Sequence, residues 1–358
     1  MKLKVGIIGV GVIGTTKHIT TLKKIPEVEI TALCDIDPQR CEDAKTKFEL
    51  PNASVYKDYR GLNTDKNVDI VHICTPNTSH CEMTLDAFAN GKHVHCEKPM
   101  ALTYTDSQKM IEAQKKAGKK LTVGLQWRFS PQAMYVRSLA KEGYFGDIYY
   151  LKSTNHRLRR FPAYGVYHSK KLNGGGIALD GGPHAIDLPM WITGNYSPES
   201  IRAVFTDRMK DATEGNILGS WNPEEFDVED SMFALLTMKN GAVVYVETSW
   251  IMNMIQDAPG MSVALAGTKA GADMTGPGMG TGVRLNQVIG GKIMTSTPLP
   301  IPGPPNPHDN NMYELRRWID AILYDKDPAV LPEEAAIVTK IIDGVYESAQ
   351  TGKTVIFS

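Results

Sequence analysis

The sequence lacks several features that would place it quickly in a class. No stretch approaches the ~20 consecutive apolar residues of a membrane-spanning helix, so we expect no membrane partner. The N-terminal stretch MKLKVGIIGVG has only a short apolar run that ends in glycine, which is not typical of a signal peptide. Neither charge is in excess: the formal net charge is −1 and the pI is about 6.8. Nucleic acid is therefore not an expected partner.

Cysteine is also scarce. The chain has five cysteines, all in its first third, and no two have metal-site spacing; they are Cys34, Cys41, Cys74, Cys81 and Cys96. An odd number on predicted strands and helices indicates free thiols in a reducing compartment, each acting as a small buried hydrophobe. We expect a cytoplasmic protein with no bound metal.

The length of the chain indicates more than one domain, because 358 residues exceed one ordinary hydrophobic core. Residues 1–124 alternate short, apolar, β-branched segments with amphipathic helical stretches such as TDSQKMIEAQKKAG. The strand segments include KVGIIGV, EITALCDI and DIVHICTP. This alternation requires crossover connections and predicts an α/β domain with a parallel sheet.

Residues 125–358 have a different pattern. A helix is predicted near 131–143, followed by successive strands in DIYYLKSTNHR, IRAVFTD, DSMFALLTM, GAVVYVETSW and MSVALAG, with a tight hairpin at Asn240–Gly241. Two amphipathic helices are predicted near 309–324 and 332–349, and the proline-rich PLPIPGPPNPHDNN should be irregular. We expect an α+β domain with a large, mostly antiparallel open sheet.

A glycine motif at residues 9–14, GVGVIG, directly follows the first predicted strand and precedes a helical segment. Asp35 ends the second predicted strand, about 20 residues further on, which completes the dinucleotide-binding fingerprint. Gly9 permits the tight turn, Gly11 lets the backbone approach a pyrophosphate, and Gly14 allows close helix packing. The motif predicts a Rossmann domain. Asp35 favours NAD over NADP, although Arg40 could accept a 2′-phosphate.

A second glycine-rich stretch, GGGIALDGGPHAID at residues 174–187, holds five of the 32 glycines but no Lys, Ser or Thr. Pro183 predicts a helix start near that residue, with Asp180 just before it and His184 in its first turn. The helix N-terminus would keep His184 neutral and Asp180 would orient its ring, as a general base requires. Residues 174–176 would let the backbone approach a ligand. A capping aspartate and a core histidine are the structural alternative.

Lys98 lies in an EKP triplet at the carboxyl end of a predicted parallel strand, the edge at which such sheets bind ligands. Pro99 holds the preceding backbone extended, so the lysine side chain is aimed rather than free. An ammonium group at this place could stabilise a developing alkoxide.

Together these segments resemble the glucose–fructose oxidoreductase/inositol dehydrogenase/MocA (GFO/IDH/MocA) family over essentially the whole chain. The resemblance rests on GIIGVGVIG, CDIDPQR, CTPNTSH, HVHCEKPMALT, GLQWRFSP and GGGIALDGGPHAID, in that order. It implies an N-terminal Rossmann domain, NAD as cofactor, and catalysis by Lys98, Asp180 and His184. It also implies subunit contacts through the exposed face of the second domain's sheet.

The fingerprint and the resemblance together give two sets of site residues. The expected cofactor contacts are Gly9, Gly11, Val12, Ile13, Gly14, Asp35, Ile36, Arg40, Thr75, Pro76, Asn77, His80, Glu97, Lys98 and Gln126. The expected substrate contacts are Lys98, Arg128, His156, Arg157, Tyr164, Tyr167, Asp180 and His184, with Trp127 nearby.

These residues indicate oxidation of a secondary hydroxyl of a sugar, glycoside or cyclitol by hydride transfer to NAD. Aromatic and Arg side chains favour a larger substrate, so C3 of a glucoside or anhydrosugar is preferred, and the segment 253–310 could cover an aglycone. A myo-inositol-type dehydrogenase is one alternative, and a glycosidase or lyase with a transient 3-keto intermediate is another. A non-catalytic NAD sensor would have no need of the proton-transfer residues.

The assembly is predicted from the sheet of the second domain. DSMFALLTM and GAVVYVETSW are apolar at nearly every position, so both faces of the sheet should be covered. If a neighbouring subunit provides one covering layer, the protein is a homo-oligomer, and a tetramer is favoured.

Overall fold

The computed structural model describes residues 2–255, 260–275, 282–298 and 310–357. The chain forms two compact units. The first comprises residues 1–126 and 311–339, and the second comprises residues 127–310 and 340–358.

Within the described residues the elements follow the chain in this order. The strands are β1 (Leu3–Ile8), β2 (Val28–Cys34), β3 (Ser54–Tyr56), β4 (Ile70–Ile73), β5 (His93–Cys96), β6 (Leu121–Val123), β7 (Ile148–His156), β8 (Pro198–Thr206), β9 (Ser231–Met238), β10 (Val243–Ser249), β11 (Gly260–Gly267), β12 (Ala270–Thr275), β13 (Gly282–Ile289), β14 (Lys292–Ser296) and β15 (Val355–Ile356). The α-helices are α1 (Thr20–Leu22), α2 (Pro38–Lys47), α3 (Tyr59–Thr64), α4 (His80–Ala89), α5 (Tyr104–Ala117), α6 (Pro131–Lys141), α7 (Lys170–Asn173), α8 (Ile177–Asp180), α9 (Gly182–Thr193), α10 (Asn310–Leu323) and α11 (Pro332–Thr351).

The first unit contains a six-stranded parallel sheet in the order β3-β2-β1-β4-β5-β6. This is the strand order of a Rossmann fold, so the prediction for the N-terminal part is confirmed. The helices between the strands begin and end at the expected signals. The Asp37 side chain caps α2, the Thr103 side chain caps α5, and Gly118 ends α5 in the left-handed conformation with φ +61°.

The helix after the first glycine motif differs from a regular α-helix. Residues Gly14–Ile19 wind as a π-helix before the chain continues as α1. The Thr20 hydroxyl donates to the Thr15 carbonyl oxygen at 2.8 Å, five residues earlier. π-turns are rare and occur often at functional sites, and nothing in the sequence pattern predicts this one.

The single domain boundary predicted between residues 124 and 125 needs correction. The division falls two residues later, but residues 311–339 also belong to the first unit. Leu315, Trp318 and Ile319 on α10 are buried in one core with Val5 and Ile7 of β1. A contact across some three hundred residues leaves no local signal in composition, which is why the sequence pattern does not predict it.

The second unit contains a nine-stranded sheet in the order β14-β13-β12-β11-β7-β10-β9-β8-β15. The β7–β10 pair is parallel and the other described pairs are antiparallel, so the prediction of a mostly antiparallel sheet is confirmed. Helix α9 packs against β7, β10 and β11. In β9 the side chains of Met232, Ala234 and Leu236 are buried, whereas Phe233 and Leu235 are exposed. Within one chain, therefore, the sheet has one covered face and one open face.

The segment 253–310 contains strands β12, β13 and β14, which the sequence pattern did not predict. Residues 256–259, 276–281 and 299–309 lie outside the described residues. The irregular structure predicted for PLPIPGPPNPHDNN, and the cover over an aglycone, therefore fall largely outside them too. In the described part of the chain, no helix is both long and hydrophobic enough to cross a bilayer.

Candidate active site

The glycine motif of the first unit adopts the strand–turn–helix geometry that the fingerprint requires. Gly9 has φ +90°, and a Cβ there would lie 2.6 Å from the Cys74 carbonyl oxygen. A Cβ on Gly14 would overlap the Gly9 carbonyl oxygen. A Cβ on Gly11 would meet no heavy atom within 4 Å, so the turn has open space where a ligand can approach the backbone.

Asp35 follows β2 and binds the glycine turn directly. Its carboxylate accepts hydrogen bonds from the backbone N–H groups of Val10, at 2.9 Å, and Asp37, at 3.1 Å. The Arg40 guanidinium lies 3.8 Å from the same carboxylate. Val12 lies within the glycine motif and Ile36 directly follows Asp35, and both side chains are exposed. Asp35 is thus held in a fixed orientation at the carboxyl edge of the sheet.

The segment after β4 contains the TPNTSH residues. The Ser79 hydroxyl donates to Thr75 Oγ1 at 2.7 Å, and residues Asn77–Ser79 form a 3₁₀ turn. His80 is fully buried: its Nδ1 lies 2.7 Å from the Pro99 carbonyl oxygen and its Nε2 lies 3.0 Å from the Thr75 carbonyl oxygen. The ring therefore joins two loops. This differs from the expectation of a direct cofactor contact, because a motif gives no side-chain direction.

The EKP triplet follows β5, and its glutamate is bound inside the unit. Glu97 Oε1 accepts from Lys17 Nζ at 2.6 Å and lies 2.9 Å from His18 Nε2. The backbone N–H of Lys98 lies 3.3 Å from Glu97 Oε2. Gln126 ends the first unit, and its buried Oε1 has no hydrogen-bond partner among the described residues.

In the second unit, Asp180 and His184 lie on consecutive helices. Asp180 is the last residue of α8, and His184 is in the first turn of α9, with Pro183 one residue inside that helix. The positions predicted for both residues are confirmed. Both side chains are buried.

The Asp180 carboxylate is the centre of a polar set in this unit. Its Oδ2 accepts a hydrogen bond from the Trp250 indole N–H at 2.7 Å and lies 3.1 Å from the Arg157 guanidinium. Trp250 is fully buried, and Arg157 is partly exposed. These contacts hold the carboxylate in one orientation and keep a positive charge beside it.

Aromatic rings surround these groups. Tyr164 and Tyr167 have ring centroids 5.9 Å apart, and Tyr167 lies 6.4 Å from the Trp250 ring. Burial, together with the negative charge of Asp180, raises the pKa of Tyr164. The Trp127 ring meets the His184 ring edge to face at 6.4 Å. Of the predicted substrate residues, the second unit therefore groups Arg157, Tyr164, Tyr167 and Asp180.

Arg128 is not available as a pocket wall. It is fully buried, and its guanidinium binds both carboxylate oxygens of Asp187, at 2.7 and 2.5 Å, and the Tyr196 hydroxyl at 2.8 Å. A bidentate ion pair in the interior uses the donors that a substrate would need. The substrate contact expected of Arg128 therefore requires correction.

His156 faces away from the Asp180 set. Its Nε2 lies 3.3 Å from Glu247 Oε2, whereas a Cβ on Gly181 would lie 3.2 Å from the neighbouring Asn155 amide. Because successive side chains of a strand point to opposite faces, Asn155 is on the Gly181 face and His156 on the other. The side chain on the Gly181 face is therefore that of Asn155, and the substrate contact predicted for His156 requires correction.

The glycines at 174–176 also have a different role from the one predicted. Gly174 ends α7 with φ +91°. A Cβ on Gly175 would overlap the Tyr346 hydroxyl, and one on Gly176 would overlap the Glu229 carbonyl oxygen. These glycines permit close packing within the protein rather than the approach of a ligand.

Comparison with known proteins identifies the family. Residues 3–125 match the family model described as "Oxidoreductase family, NAD-binding Rossmann fold", and residues 133–273 match the GFO/IDH/MocA C-terminal domain. D-glucoside 3-dehydrogenase of Escherichia coli is 30% identical over 99% of this chain and 97% of its own length. The chain belongs to the GFO/IDH/MocA family. Myo-inositol 2-dehydrogenase of Thermotoga maritima is 31% identical over 69% of this chain and 68% of its own length.

A solved structure agrees with this assignment. Aldose-aldose oxidoreductase of Caulobacter crescentus, complexed with glycerol, superimposes with a TM-score of 0.83 and 25% identity, covering all of both chains. As a member of the GFO/IDH/MocA family, the chain is an NAD-dependent oxidoreductase.

The residues of the first unit fit NAD. The open space at Gly11 and the oriented Asp35 carboxylate are the features that a pyrophosphate and an adenosine ribose require. The buried Gln126 Oε1, which has no hydrogen-bond partner in the part of the chain that the structure describes, is a further acceptor.

Sequence reasoning missed four residues that hold the second unit's candidate site. Trp250 donates to Asp180, and Asp187 neutralises Arg128. Glu229 Oε1 accepts from the N–H groups of Gly176 and Ala178 and from the Tyr346 hydroxyl. Because these contacts join distant segments, no local motif indicates them.

Proposed function

We propose that the protein oxidises one secondary hydroxyl of a sugar, glycoside or cyclitol with NAD, and that C3 of a glucoside or anhydrosugar is the favoured position. The observation that carries the proposal is the Asp180 set, in which a fixed carboxylate and an Arg lie among aromatic rings. Such a surface combines donors and acceptors for hydroxyls with flat apolar area for a pyranose ring. The full-length similarity to a D-glucoside 3-dehydrogenase supports the choice of C3.

The proposed chemistry assigns one role to each catalytic residue. His184 takes the proton of the reacting hydroxyl, as a neutral imidazole in the first turn of a helix can do. Lys98 stabilises the developing alkoxide with its positive charge. Asp180 orients substrate hydroxyls and is itself held by Trp250 and Arg157. NAD, when bound, supplies the hydride acceptor.

NAD would be held by the fingerprint residues of the first unit. We propose contacts from Gly9, Gly11, Val12, Ile13, Gly14, Asp35, Ile36, Arg40, Thr75, Pro76, Asn77, Glu97, Lys98 and Gln126. His80 does not contact the cofactor in this proposal; its ring binds the carbonyl oxygens of Thr75 and Pro99 and so joins the two segments that contain them.

A substrate screen tests the reaction class. NADH formation is measured with alkyl β-glucosides, 1,6-anhydroglucose, free aldoses and inositols at equal concentration. The proposal expects the highest kcat/KM with a glucoside or the anhydrosugar. A preference for inositol would support the polyol alternative, which the Thermotoga maritima relative favours. Release of aglycone without net NADH would support the lyase alternative.

The roles of the residues are tested with His184→Ala, Lys98→Ala and Asp180→Asn. Each variant should bind NAD and keep its melting temperature, yet lose ~10²–10⁴-fold in single-turnover hydride transfer. The losses should not add when the changes are combined, because the groups act as a unit. If His184→Ala instead melts lower and the folded enzyme retains its rate, His184 is a core histidine and Lys98 becomes the leading base.

We further propose a homo-oligomer, most favourably a tetramer, assembled through the open face of the second unit's sheet. Val204 and Phe233 are cross-strand neighbours there, as are Leu235 and Tyr245, and all four side chains are exposed. A contiguous apolar surface of this kind usually has a protein partner. In an assembly with two-fold symmetry, the same surface of each copy meets its counterpart on the other copy. The apolar face of one chain could therefore be covered by the apolar face of a second.

A cytoplasmic location is also proposed. All five cysteines are free in the structure, as expected in a reducing compartment. Immunoblotting of fractionated cells tests it, and recovery from the periplasm would contradict it.

A further inference from the structure

A buried polar cluster in the first unit contains five residues to which the proposed function assigns no role, together with Glu97. It consists of Lys17, His18, His72, His95, Glu97 and Glu314, and we call it the histidine–glutamate cluster. Every side chain in it is at most 10% exposed. Six ionisable groups without water are costly unless their charges and hydrogen bonds balance.

Lys17 is the cation of the histidine–glutamate cluster. Its Nζ lies 2.6 Å from Glu97 Oε1 and 2.8 Å from Glu314 Oε2. Although burial opposes it, the two carboxylates raise the pKa of Lys17. One ammonium group thus lies between two carboxylates, and its single positive charge can balance only one negative charge.

The hydrogen bonds define the tautomers of two imidazoles. His18 Nε2 lies 2.9 Å from Glu97 Oε1, so this nitrogen carries the proton. Burial lowers the pKa of His18 and of His72, so both rings are neutral. His18 Nδ1 must then accept from His72 Nδ1, which lies 2.7 Å away.

This geometry disfavours a shared metal ion, although nitrogen atoms of the three imidazoles lie within 4.8 Å of one another. The His72 and His95 rings stack with an interplanar angle of 11° and centroids 4.7 Å apart. A metal must lie in the plane of each imidazole that binds it, which two stacked rings do not allow. The positive charge of Lys17 already occupies the cluster.

The cluster fixes the residue that precedes Lys98. Glu97 Oε1 is held by Lys17 and His18, and Glu97 Oε2 lies 3.3 Å from the Lys98 backbone nitrogen. On the other side, a Cβ on Gly124 would lie 2.9 Å from both carboxylate oxygens. The Glu97 carboxylate thus lies directly beside Gly124, where any side chain would displace it. Although burial opposes it, Lys17 and His18 hold the pKa of Glu97 well below its usual range.

Glu314 and His95 are left with complementary, unsatisfied atoms. Glu314 Oε1 and His95 Nε2 are 3.9 Å apart, and neither atom has a hydrogen bond of good geometry among the described residues. The Leu125 backbone N–H lies near the Glu314 carboxylate and opposes the effect of burial on its pKa. A proton between them would satisfy both atoms after a closure of about 1 Å. Burial raises the pKa of Glu314 to about 7, against the pull of Lys17, and lowers the pKa of His95 well below its usual range. The proton therefore belongs mainly to Glu314.

We propose that Glu314 and His95 hold one proton between them. Because protonated Glu314 carries no negative charge, Lys17 stays paired with Glu97, and this pair fixes the backbone ahead of Lys98. Glu314 is thus a positioning residue for Lys98, and this role rests on the proposed dehydrogenase function. Loss of the proton gives Glu314 a full negative charge. It then competes with Glu97 for Lys17, and the support of Lys98 weakens. The titratable groups that face Glu314 are Lys17 and His18 on the π-helix, His72 on β4, and His95 and Glu97 at β5.

The first experiment uses the protein without NAD or substrate. Glu314→Gln keeps the shape of the side chain and removes its titration; Glu112→Gln, an exposed glutamate on α5, is the matched control. Infrared difference spectra between pH 5 and 8 should contain the C=O band of a protonated carboxylic acid that disappears near pH 7. The band should be absent in Glu314→Gln and unchanged in Glu112→Gln. An identical band in Glu314→Gln overturns the proposal.

Stability should follow the same proton. The folded protein holds it up to about pH 7, whereas an unfolded glutamate loses it near pH ~4.3. The wild type should therefore lose stability relative to Glu314→Gln as pH rises from 5 to 7, by roughly 2–4 °C in Tm per pH unit. A Tm difference that is constant with pH overturns the proposal. If Glu314→Gln does not fold, His95→Phe serves instead, and its infrared transition should move to lower pH.

The second experiment measures the pH profile of kcat/KM with the substrate found in the screen. The wild type should have a component near pH 7 that Glu314→Gln lacks, while Glu112→Gln retains it. Because the infrared and stability tests need no substrate, they stand even if no sugar is oxidised, and the two failures can be told apart. One equivalent of zinc in the purified protein, lost in His72→Phe, would also overturn the proposal.

Discussion

At the scale of single residues, Gly176 is required by the protein interior. A Cβ there would overlap the Glu229 carbonyl oxygen and lie 3.0 Å from the Val228 Cβ. Both neighbours are fixed, since the Glu229 side chain accepts hydrogen bonds from Gly176 and Ala178. The backbone ahead of Asp180 can take its position only without a side chain at 176.

Gly176→Ala should therefore destabilise the protein by roughly 1–3 kcal/mol, the usual cost of overpacking a fixed site. Gly182→Ala is the matched control, because a Cβ there has its nearest neighbour at an ordinary 3.8 Å and lies in a helix. Denaturant unfolding followed by tryptophan fluorescence measures both. Equal stabilities for the two variants would contradict the packing role of Gly176.

The sequence predicts residue positions well and side-chain directions poorly. Pro183 and the glycines before it place Asp180 and His184 correctly at the helix junction. His80 and His156 lie in the predicted segments, yet each ring points to an internal partner. The direction of a side chain depends on the register of its strand and on neighbours distant in sequence, and neither can be read from a single sequence.

At the scale of elements, Arg128 connects the 3₁₀ turn Gln126–Phe129 to helix α9. Its guanidinium binds Asp187 of α9 at two oxygens, and both side chains are fully or almost fully buried. The pair holds the N-terminal half of α9, which begins at Gly182 and contains Pro183 and His184 in its first turn. A buried ion pair is not itself strong evidence of stability, but breaking it leaves an uncompensated charge.

Asp187→Ala should destabilise the second unit by about 3–5 kcal/mol, because the buried guanidinium loses its counter-charge. The double variant Arg128→Met/Asp187→Leu should cost less than Asp187→Ala alone, since no charge is left unpaired. Chemical denaturation of the three proteins gives the comparison. A double variant less stable than Asp187→Ala would show that the ion pair contributes net stability.

Elements with a strong hydrophobic period are predicted correctly, and weakly patterned ones are missed. Five strands of the first sheet, β1, β2, β4, β5 and β6, follow from short apolar, β-branched runs. Strand β3 has three residues, of which none is buried, and β14 has every residue exposed. Exposed edge strands carry no burial pattern, because the neighbouring strand alone determines their conformation.

At the scale of the whole molecule, the chain order does not correspond to the two units. Residues 311–339 follow strands β7 to β14 of the second unit in sequence but belong to the first unit. Glu314 lies in this returning segment and reaches Lys17. The histidine–glutamate cluster therefore needs a residue that the first 124 positions do not contain, and a separately expressed N-terminal domain ending there would lack it.

The open face of the second sheet is tested by a charge at its centre. Leu235→Glu places a carboxylate between Tyr245 and the neighbouring strand β8. In a monomer water would solvate this carboxylate, whereas contact with a second copy would bury its charge at a large cost in free energy. Light scattering should give a multiple of the 39.4 kDa chain mass for the wild type and a shift toward 39.4 kDa for the variant. Ile217→Glu, an exposed apolar residue outside the sheet, is the control and should leave the mass unchanged. A wild-type mass of one chain at every dilution would contradict the oligomer, and an unchanged mass for Leu235→Glu would move the interface to another surface.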